Sequence, residues 1–373
     1  MVNGDSTDGG QVNDVRPISV IIPTYREAGS LPGLLDGLAS LRADGHDLDV
    51  IIVDDNSMDG TIELVAERDE SWVRLITRTD ERGLSSAVIR GLEEARHDVL
   101  VVMDADGSHP ASSIPDLEQA LASGADFTLG SRYIAGGSTE DGWGVLRWVN
   151  SKVATLMARP FTKVLDPMSG FIGIERATWE RAAELDPIGY KIGLELIVKC
   201  RCTNVVEVPI HFSTRRHGES KLSLKVQWQY LVHIVLLARF KYPRLSSFIP
   251  FAMVGASGMA VYAGLLALFD AVAGTMVDTW IRILVAVLLT MTWNFTWDRR
   301  LAFWDAGNRS IASQYMGFVC VCSVPVLVTF FVTWYYSDAV VLPLAGIIGS
   351  AIGSALGLVF NWLVNRMLVF RRD

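Results

Sequence analysis

The segment Val99-Leu-Val-Val-Met-Asp104-Ala-Asp106-Gly-Ser108-His-Pro110 joins a run of apolar residues directly to a polar turn. The uninterrupted run Val99–Met103 predicts a strand that is buried on both faces, as strands of parallel sheets are. Asp104 and Asp106 follow at the carboxyl end of that strand. Carboxylate oxygens suit a hard divalent cation, and Mg²⁺ is commonly held by such ligands together with substrate phosphates. The segment therefore predicts an α/β fold with a metal- and phosphate-binding turn.

Strand and helix patterns alternate on both sides of this segment. Short apolar runs predict the strands, and apolar residues at helical spacing predict the helices between them. The predicted strands are Ile18–Ile22, Asp49–Val53, Val73–Thr77, Val99–Met103 and Phe127–Gly130. The predicted helices are Leu31–Leu41, Thr61–Glu67, Leu84–Ala95 and Ile114–Ala122. This alternation predicts a mostly parallel sheet covered by helices on both faces.

Two more polar turns follow the first and second predicted strands. The first reads Pro23-Thr-Tyr25-Arg-Glu27, and the second reads Val53-Asp-Asp55. In open α/β sheets, ligands bind outside the carboxyl ends of the strands. We expect Tyr25 to face a base, Glu27 to accept a hydrogen bond from a ribose or a base, and Asp55 to accept from ribose hydroxyls. The alternative for the first turn is a simple strand–helix connection, and the alternative for the second is capping of the following helix by Asp59 or Thr61.

Charged residues are distributed unevenly over the 373 residues of the chain. Residues 246–373 contain seven Lys or Arg and six Asp or Glu, whereas the whole chain contains 33 and 41. Hydrophobic residues make up 50% of the chain, and the mean hydropathy is +0.30, which argues against a wholly soluble or disordered protein. The net charge of −8 argues against a general nucleic-acid binder. We expect a water-soluble part followed by a membrane part.

Four apolar stretches in the second part each approach the ~20 residues that a membrane-spanning helix needs. They are Ser247–Phe269, Ile281–Trp297, Ser313–Tyr336 and Val341–Leu363. Arginine occurs in the loop between the second and third stretches and after the fourth, whereas the other two loops contain aspartate without Lys or Arg. Because cytoplasmic loops are enriched in Lys and Arg, we expect an integral protein of the cell membrane with both termini and the soluble part in the cytoplasm.

Two segments of the membrane part resemble each other. They are Asn294-Phe-Thr-Trp-Asp-Arg-Arg-Leu-Ala-Phe303 and Asn361-Trp-Leu-Val-Asn-Arg-Met-Leu-Val-Phe370. Asn, Arg, Leu and Phe recur at matching offsets, so we expect two helix hairpins related by duplication. We expect no buried acidic relay among these helices.

A different helical pattern precedes the first apolar stretch. Residues 222–242 mix Leu, Val and Trp with basic residues, which predicts an amphipathic helix in the membrane interface. The alternative is an ordinary amphipathic helix packed on the soluble part. The predicted organisation is a disordered tail (1–15), an α/β domain (16–221), an interfacial helix with a linker (222–245) and a transmembrane domain (246–373).

The Pro-Thr-Tyr-x-Glu loop, the Val-Asp-Asp turn and the Asp-x-Asp turn together resemble the family 2 glycosyltransferases of the GT-A fold. This fold is a Rossmann-like, nucleotide-sugar-binding α/β domain. More narrowly, the chain resembles the polyprenyl-phosphate (dolichyl-phosphate) mannosyltransferases that have a GtrA-like membrane domain of four helices. Further matching segments are Gly130-Ser-Arg132-Tyr133, Asp166-Pro-Met-Ser-Gly-Phe171, Gly189-Tyr-Lys191 and Arg215-Arg-His-Gly-Glu-Ser-Lys221. The resemblance covers nearly the whole chain beyond residue 15.

The resemblance implies a site for each substrate. It assigns donor binding to Pro23, Tyr25, Glu27, Val53, Asp55, Asp104, Ala105, Asp106, Lys191, Arg215 and Lys221. It assigns the acceptor phosphate to Arg132, Arg147 and Ser151, and a Mg²⁺ or Mn²⁺ cofactor to Asp104, Asp106 and Ser108. The implied catalytic residues are Asp106, Arg132 and Arg147. One departure concerns Ser108, where the family often has Gln, and a serine hydroxyl is a shorter and weaker metal ligand.

The resemblance also implies a reaction. A hexose would be transferred with inversion to a polyprenyl (dolichyl) phosphate on the cytoplasmic membrane face. The preferred interpretation is that the hexose is mannose and the donor is GDP-mannose. The partners are then a nucleotide sugar, a polyprenyl phosphate and the membrane, with no nucleic acid. One alternative is glucose transfer from UDP-glucose to undecaprenyl phosphate. Another, of a different class, is a component of a lipid-linked sugar transporter or flippase.

Overall fold

The computed structural model describes residues 16–140, 145–186, 188–189, 191–213, 224–273, 276–307, 309–335 and 357–371. The chain divides into two compact units between Lys241 and Tyr242. The first unit is an α/β domain, and the second unit is helical. The predicted tail, residues 1–15, lies outside the described residues.

A seven-stranded sheet forms the centre of the first unit. Its strands are β1 (Ile18–Thr24), β2 (Leu48–Asp54), β3 (Val73–Thr77), β4 (Val99–Val102), β5 (Phe127–Ser131), β7 (Ile172–Glu175) and β8 (Val205–Pro209). They lie in the order β3-β2-β1-β4-β7-β5-β8. β7 runs antiparallel to both of its neighbours, and the remaining pairs are parallel. The predicted, mostly parallel sheet is therefore confirmed.

Helices cover both faces of this sheet. The described helices of the first unit are α1 (Leu31–Ala43), α2 (Thr61–Arg68), α3 (Leu84–Glu94), α4 (Ile114–Ala122), α5 (Val145–Ala158), α6 (Arg176–Trp179), α7 (Ile192–Lys199) and α8 (Leu224–Lys241). Successive residues of a strand point to opposite faces. Val20 of β1 accordingly belongs to a core with Leu35 of α1 and Leu117 of α4, whereas Ile21 belongs to a core with Val88 of α3. Every residue of β1, β2 and β4 is buried, which explains their uninterrupted apolar runs.

The structure adds strands that the sequence did not predict. The five predicted strands and four predicted helices all occur within two residues of their expected bounds. β7 and β8 were missed, and so was a second sheet in which the short strands β6 (Ser138–Thr139) and β9 (His211–Phe212) pair in parallel. These strands are short, and their pairing with β5 and with each other joins residues far apart in the chain.

Helix α8 packs against α5 and α7 of the first unit. Leu237 is buried in a cluster with Ala158 of α5 and with Leu194 and Val198 of α7. On the opposite side of the helix apolar side chains are exposed, and Trp228 is 66% exposed. The alternative of a helix packed on the soluble part therefore describes one face of α8, and the membrane-interface position of its other face stays a prediction.

The second unit consists of apolar helices. They are α9 (Pro243–Ala273), α10 (Thr279–Trp297), α11 (Ile311–Tyr335) and α12 (Gly357–Val369). Among the described residues, α9 and the segment Thr279–Ala302 are long and apolar enough to cross a membrane. The predicted fourth span, Val341–Leu363, lies largely outside the described residues. Arg282, which we had counted inside the second span, pairs with Asp270 across the connection between α9 and α10.

The two repeated sequence segments adopt the same local structure. Each ends in a π-helical turn, Asp298–Ala302 in one copy and Asn365–Val369 in the other. The rings of Phe303 and Phe370, which follow these turns, stack with centroids 4.4 Å apart and planes 10° apart. The repeat is therefore visible in the structure as well as in the sequence.

One expectation about the membrane part concerns buried acidic residues. We expected no buried acidic relay among these helices; Asp298 is only 2% exposed, but one buried acid does not by itself form a relay. The sequence placed Asp298 at the start of a loop, whereas the π-helical turn continues the helix and keeps the residue inside the helical unit. At least one acidic side chain is therefore buried in the second unit.

Candidate active site

A cavity of about 1300 Å³ opens in the first unit at the carboxyl ends of β1, β2 and β4. This is the edge at which open α/β sheets bind ligands. Predicted site residues line it in one group: Pro23, Tyr25, Glu27, Asp55, Asp104, Ala105, Asp106, Arg132, Ser151 and Lys191. The structure thus brings the predicted donor and acceptor residues around a single space.

Five predicted residues stand apart from this group. Val53 is fully buried in the core, and Ser108 is buried beside the cavity without lining it. Arg215 and Lys221 lie outside the described residues, and only the backbone of Arg147 is described, within α5. The roles predicted for these five residues stay predictions.

Two arginines flank the ring of Tyr25. The guanidinium carbon of Arg26 lies 5.3 Å from the ring centroid, and that of Arg82 lies 5.0 Å from it. Arg82 also donates a hydrogen bond from Nη1 to the Tyr25 hydroxyl at 3.2 Å. Cation–π contacts of this kind stabilise an aromatic ring in one orientation. Arg82 lines the cavity, and we had not predicted it.

Asp55 lines the cavity, but protein groups already contact both of its carboxylate oxygens. Oδ1 accepts hydrogen bonds from the guanidinium of Arg78, with Nε at 2.8 Å, and Oδ2 accepts one from the Gly83 amide at 2.9 Å. The side chains of Asp55 and Arg78 are each only 7% exposed. Asp55 therefore fixes the turn after β3, which carries Arg82. Sequence reasoning could have found this turn, since it follows a predicted strand and contains Arg78 and Arg82.

The Asp-x-Asp turn is ordered by the two residues that follow it. Ser108 donates to Asp106 Oδ1 from its backbone amide at 3.0 Å and from its hydroxyl at 2.5 Å. The Asp104 amide donates to His109 Nδ1 at 3.0 Å, and the imidazole of His109 stacks on Phe171 with centroids 5.1 Å apart. Burial lowers the pKa of His109 below its ordinary value, although the charges of Asp104 and Asp106 oppose this shift. His109 is therefore a neutral support for the turn.

The turn offers two carboxylates to a cation. The described residues contain no group of three or more His, Cys, Asp and Glu side chains that could hold a metal. A Cβ at Gly170 would lie 3.2 Å from Asp104 Oδ1, so the glycine leaves that carboxylate approachable. Two carboxylates that leave room for phosphate oxygens and water fit Mg²⁺ or Mn²⁺. The Ser108 hydroxyl donates to Asp106, so it orients this carboxylate.

Arg132 is held rigidly at another part of the cavity wall. Its Nε and Nη2 donate to the two oxygens of Asp166 at 2.7 Å each, and its backbone amide donates to Asp166 Oδ2 at 3.1 Å. Asp166 is fully buried. Burial disfavours the charge of Arg132, but Asp166 outweighs burial and keeps the pKa of Arg132 above its ordinary value. A permanently charged guanidinium in a fixed orientation suits a phosphate group.

The remaining wall comes from α5, α7 and α8. The Ser151 hydroxyl lies 2.9 Å from the Tyr133 hydroxyl, and Lys191, at the start of α7, donates from Nζ to the Met168 carbonyl at 3.5 Å. Apolar side chains of α5 and α8 also line the cavity, among them Val153 and Leu231. The cavity therefore has a carboxylate part, a cationic part and an apolar part.

Sequence comparisons identify the family of each unit. Residues 19–181 match the model of glycosyl transferase family 2, and residues 250–370 match the GtrA/DPMS transmembrane domain. A dolichol-phosphate mannosyltransferase of Pyrococcus furiosus is 37% identical over 94% of this chain and 98% of its own length. A dolichol-phosphate mannosyltransferase of Saccharomyces cerevisiae is 42% identical over 60% of this chain and 88% of its own length. An undecaprenyl-phosphate mannosyltransferase of Micrococcus luteus is 35% identical over 58% of this chain and 92% of its own length.

The relative from Pyrococcus furiosus matches both units nearly end to end, and the two family models match the units in the order in which the chain contains them. The chain is therefore a membrane-bound glycosyltransferase of family 2 and belongs to the dolichol-phosphate mannosyltransferase family, with a GtrA/DPMS transmembrane domain after its α/β domain.

Proposed function

We propose that this enzyme transfers mannose from GDP-mannose to a polyprenyl (dolichyl) phosphate on the cytoplasmic membrane face, with inversion at the sugar. The observation that carries the proposal is that one cavity is lined by the carboxylates of Asp104 and Asp106 and by the cation of Arg132. A site for a nucleoside diphosphate and a site for a phosphate acceptor must meet in this way for direct transfer. The names of the three relatives support mannose as the sugar.

The donor would bind at the carboxylate part of the cavity. Tyr25, whose ring contacts Arg26 and Arg82, offers a ring face or edge to the base, and Glu27 offers acceptor oxygens to the base or ribose. Asp55 acts mainly by fixing the turn that carries Arg82. Asp104 and Asp106 would hold Mg²⁺ or Mn²⁺, which supplies positive charge to the diphosphate leaving group. Ser108 orients the carboxylate of Asp106, and His109 holds the backbone of Asp104.

The acceptor would bind where Arg132 and Ser151 line the cavity. The guanidinium of Arg132 is oriented by Asp166 before any substrate arrives, so little reorganisation is needed when the phosphate binds. The apolar side chains of α5 and α8 beside Ser151 suit the first isoprene units of the lipid. Exposed apolar side chains on the same helices, such as Leu156 and Trp228, would meet the membrane surface.

The reaction then requires alignment more than acid–base catalysis. A phosphate oxygen of the acceptor attacks the anomeric carbon, the bond from that carbon to the diphosphate oxygen breaks, and GDP leaves with the electron pair. Because the acceptor phosphate is already an anion near neutral pH, no general base has to remove a proton. The protein contributes position and charge neutralisation, which can lower the barrier by several kcal/mol. Back-side attack in a single step inverts the configuration.

A donor and acceptor screen tests this proposal. The full chain is purified in detergent and incubated with radiolabelled GDP-mannose or UDP-glucose and with dolichyl or undecaprenyl phosphate. We expect a lipid-linked product with GDP-mannose and little with UDP-glucose, and its anomeric configuration reports inversion. Product from UDP-glucose alone would replace the mannose proposal by the glucose alternative. Binding of lipid-linked sugar without release of nucleoside diphosphate would support the transporter alternative instead.

A further inference from the structure

A second cavity, of about 170 Å³, lies inside the transmembrane unit. Its wall is apolar on α9 and α11, where Phe251 and Phe318 contribute, but polar on the two repeated segments, which contribute Asn294, Asp298 and Asn361. Polar residues inside a membrane domain are rare because burying them in an apolar medium is expensive, so their presence indicates a function. The volume is enough for an ion and a few water molecules, since a water molecule occupies about 30 Å³.

The polar side chains of this cavity present unsatisfied oxygen atoms. The Oδ1 atoms of Asn294, Asp298 and Asn361 are buried and accept no hydrogen bond from any residue in the described part of the chain. Oδ1 of Asn365, which is fully buried four residues after Asn361, also accepts no hydrogen bond from the described residues. Leaving one buried acceptor unsatisfied costs about 1–3 kcal/mol, and an uncompensated buried charge costs more. Three such oxygens on the wall of one cavity therefore indicate a ligand that can coordinate oxygen atoms.

The sequence repeat explains how these oxygens converge. Asn294 and Asp298 occupy the same positions in the first repeated segment as Asn361 and Asn365 in the second. In both copies a backbone hydrogen bond over five residues closes the π-helical turn. The Phe303 amide donates to the Asp298 carbonyl, and the Phe370 amide donates to the Asn365 carbonyl, each at 2.8 Å. Such turns are frequent at functional sites because they redirect side chains within a helix.

The neighbouring arginines have other partners. Arg299 donates from Nε to Gln314 at 2.8 Å, and Arg366 forms a two-point ion pair with Asp305. Within the described residues, no ion pair involves Asp298. The cluster therefore combines one carboxyl group with several amide oxygens, and the carboxyl contributes one negative charge when it binds a cation. One monovalent cation balances that charge, whereas a divalent cation would leave an excess positive charge in the membrane domain, which is strongly unfavourable.

We propose that the transmembrane unit binds a hard monovalent cation, with Na⁺ as the first candidate, through the oxygens of Asn294, Asp298 and Asn361. Carboxylate and amide oxygens are hard ligands of the kind that take such ions. In membrane proteins built from repeats, ion sites are often formed where the repeats meet. The site is distinct from the transferase cavity, because all its residues belong to the second unit.

The test uses the full chain purified in detergent and exchanged into N-methyl-D-glucamine chloride. Thermal unfolding is then followed while Na⁺, K⁺ or Li⁺ replaces the organic cation at constant ionic strength, and retention of ²²Na⁺ is measured directly. We expect Na⁺ to raise the unfolding midpoint in a saturable manner and ²²Na⁺ binding to approach one ion per chain. If the unfolding midpoint is equal in all four cations and no ²²Na⁺ is retained, the proposal is overturned. The oxygen cluster would then be occupied by water or by a proton.

Two variants locate the ion. Asp298→Asn removes the charge at nearly constant volume and should weaken Na⁺ binding at least about tenfold. Asp270→Asn, which changes an exposed carboxylate of the same unit, should leave Na⁺ binding as it is in the wild type. If Asp298→Asn does not fold, Gly258→Ala serves instead, because a Cβ at Gly258 would collide with the amide of Asn294. Unchanged ²²Na⁺ binding in a folded Asp298→Asn or Gly258→Ala protein would contradict this location.

Discussion

Asp166 holds the guanidinium of Arg132 through two hydrogen bonds of 2.7 Å, and this pair sets the orientation of a cation on the wall of the transferase cavity. Both side chains are almost completely shielded from water, so neither has an alternative partner in solvent. An arginine suits this position better than a lysine. The planar guanidinium donates two hydrogen bonds to Asp166 at once, which fixes the orientation of the whole group, whereas a lysine ammonium could not be oriented in this way.

The Asp166→Asn substitution should impair acceptor binding more than donor binding. Removing one partner of a buried ion pair destabilises a protein by about 3–5 kcal/mol and releases Arg132 from its fixed orientation. We expect the KM for polyprenyl phosphate to rise at least about tenfold, with a smaller change for the nucleotide sugar. Steady-state kinetics on each substrate measure this. The matched control is Asp98→Asn, whose carboxylate is 92% exposed, and equal effects of both substitutions would contradict the role of the pair.

Removal of divalent metal should abolish transfer reversibly. Asp104 and Asp106 provide two carboxylates, so a chelator such as EDTA competes for the cation and leaves the diphosphate without its counter-charge. We expect Mg²⁺ or Mn²⁺ to restore the rate, and Asp106→Asn to lower kcat at least about a hundredfold at saturating metal. Asp116→Asn, on the exposed side of α4, should keep the wild-type rate. Full activity in EDTA would show that the turn acts without metal.

Ser108 should act on metal affinity through Asp106. Its hydroxyl donates to Asp106 Oδ1, so Ser108→Ala removes the group that orients this carboxylate. Residues that orient metal ligands typically contribute about tenfold or more to metal affinity, and we expect a rise of that size in the Mn²⁺ concentration giving half-maximal rate. The exposed Ser112 provides the control variant Ser112→Ala. An unchanged Mn²⁺ requirement in Ser108→Ala would contradict the orienting role.

Asp55 should be more important for stability than a residue that merely touches ribose. It forms a buried pair with Arg78 and accepts from the Gly83 amide, so Asp55→Asn should lower the free energy of unfolding by about 3–5 kcal/mol. The exposed pair of Arg90 and Glu94 on α3 is a matched comparison, and Glu94→Gln should cost less than about 1 kcal/mol. Denaturant or thermal unfolding in detergent measures both. A stable Asp55→Asn protein with a raised donor KM would favour direct ribose contact.

The buried His109 should make the first unit sensitive to mild acid. Burial lowers its pKa in the folded state, whereas the unfolded chain binds a proton near the ordinary value of about 6.5. The contribution of neutral His109 is therefore complete above about pH 6.5 and is lost as the pH falls below it. Thermal unfolding between pH 8 and pH 5 should show this decline, and His109→Gln should reduce it. An identical pH dependence in His109→Gln would assign the decline to other groups.

The central elements of the fold followed from the sequence because their signals are local. β1, β2 and β4 are buried on both faces, so each reads as an uninterrupted apolar run, and a polar turn follows each one. The functional turns could be placed on one edge of the sheet because parallel strands share their carboxyl ends. The short strands β7 and β8 have no such signal, since their pairing with β5 depends on residues distant in the chain.

Two features of the sites could not be predicted because they depend on the folded structure and not on the local sequence pattern. The ribose contact of Asp55 stays a prediction, and the contact that the sequence did not reveal is that with the Arg78 guanidinium, 23 residues later. The predicted second span ended at Trp297, which left Asp298 in the following loop, whereas a π-helical turn keeps this residue buried. In both cases the pattern identified a polar residue correctly, and the tertiary structure decided what that residue contacts.

Mannose transfer that depends on the Asp-x-Asp turn is tested most directly by following label from GDP-[¹⁴C]mannose to dolichyl phosphate. The purified full chain is used, and wild type and Asp106→Ala are compared under the same conditions. We predict a labelled lipid and an equimolar amount of GDP from the wild type, and a rate lower by at least about a hundredfold from Asp106→Ala. Equal rates from the two proteins, or labelled lipid from UDP-[¹⁴C]glucose and none from GDP-[¹⁴C]mannose, would contradict it.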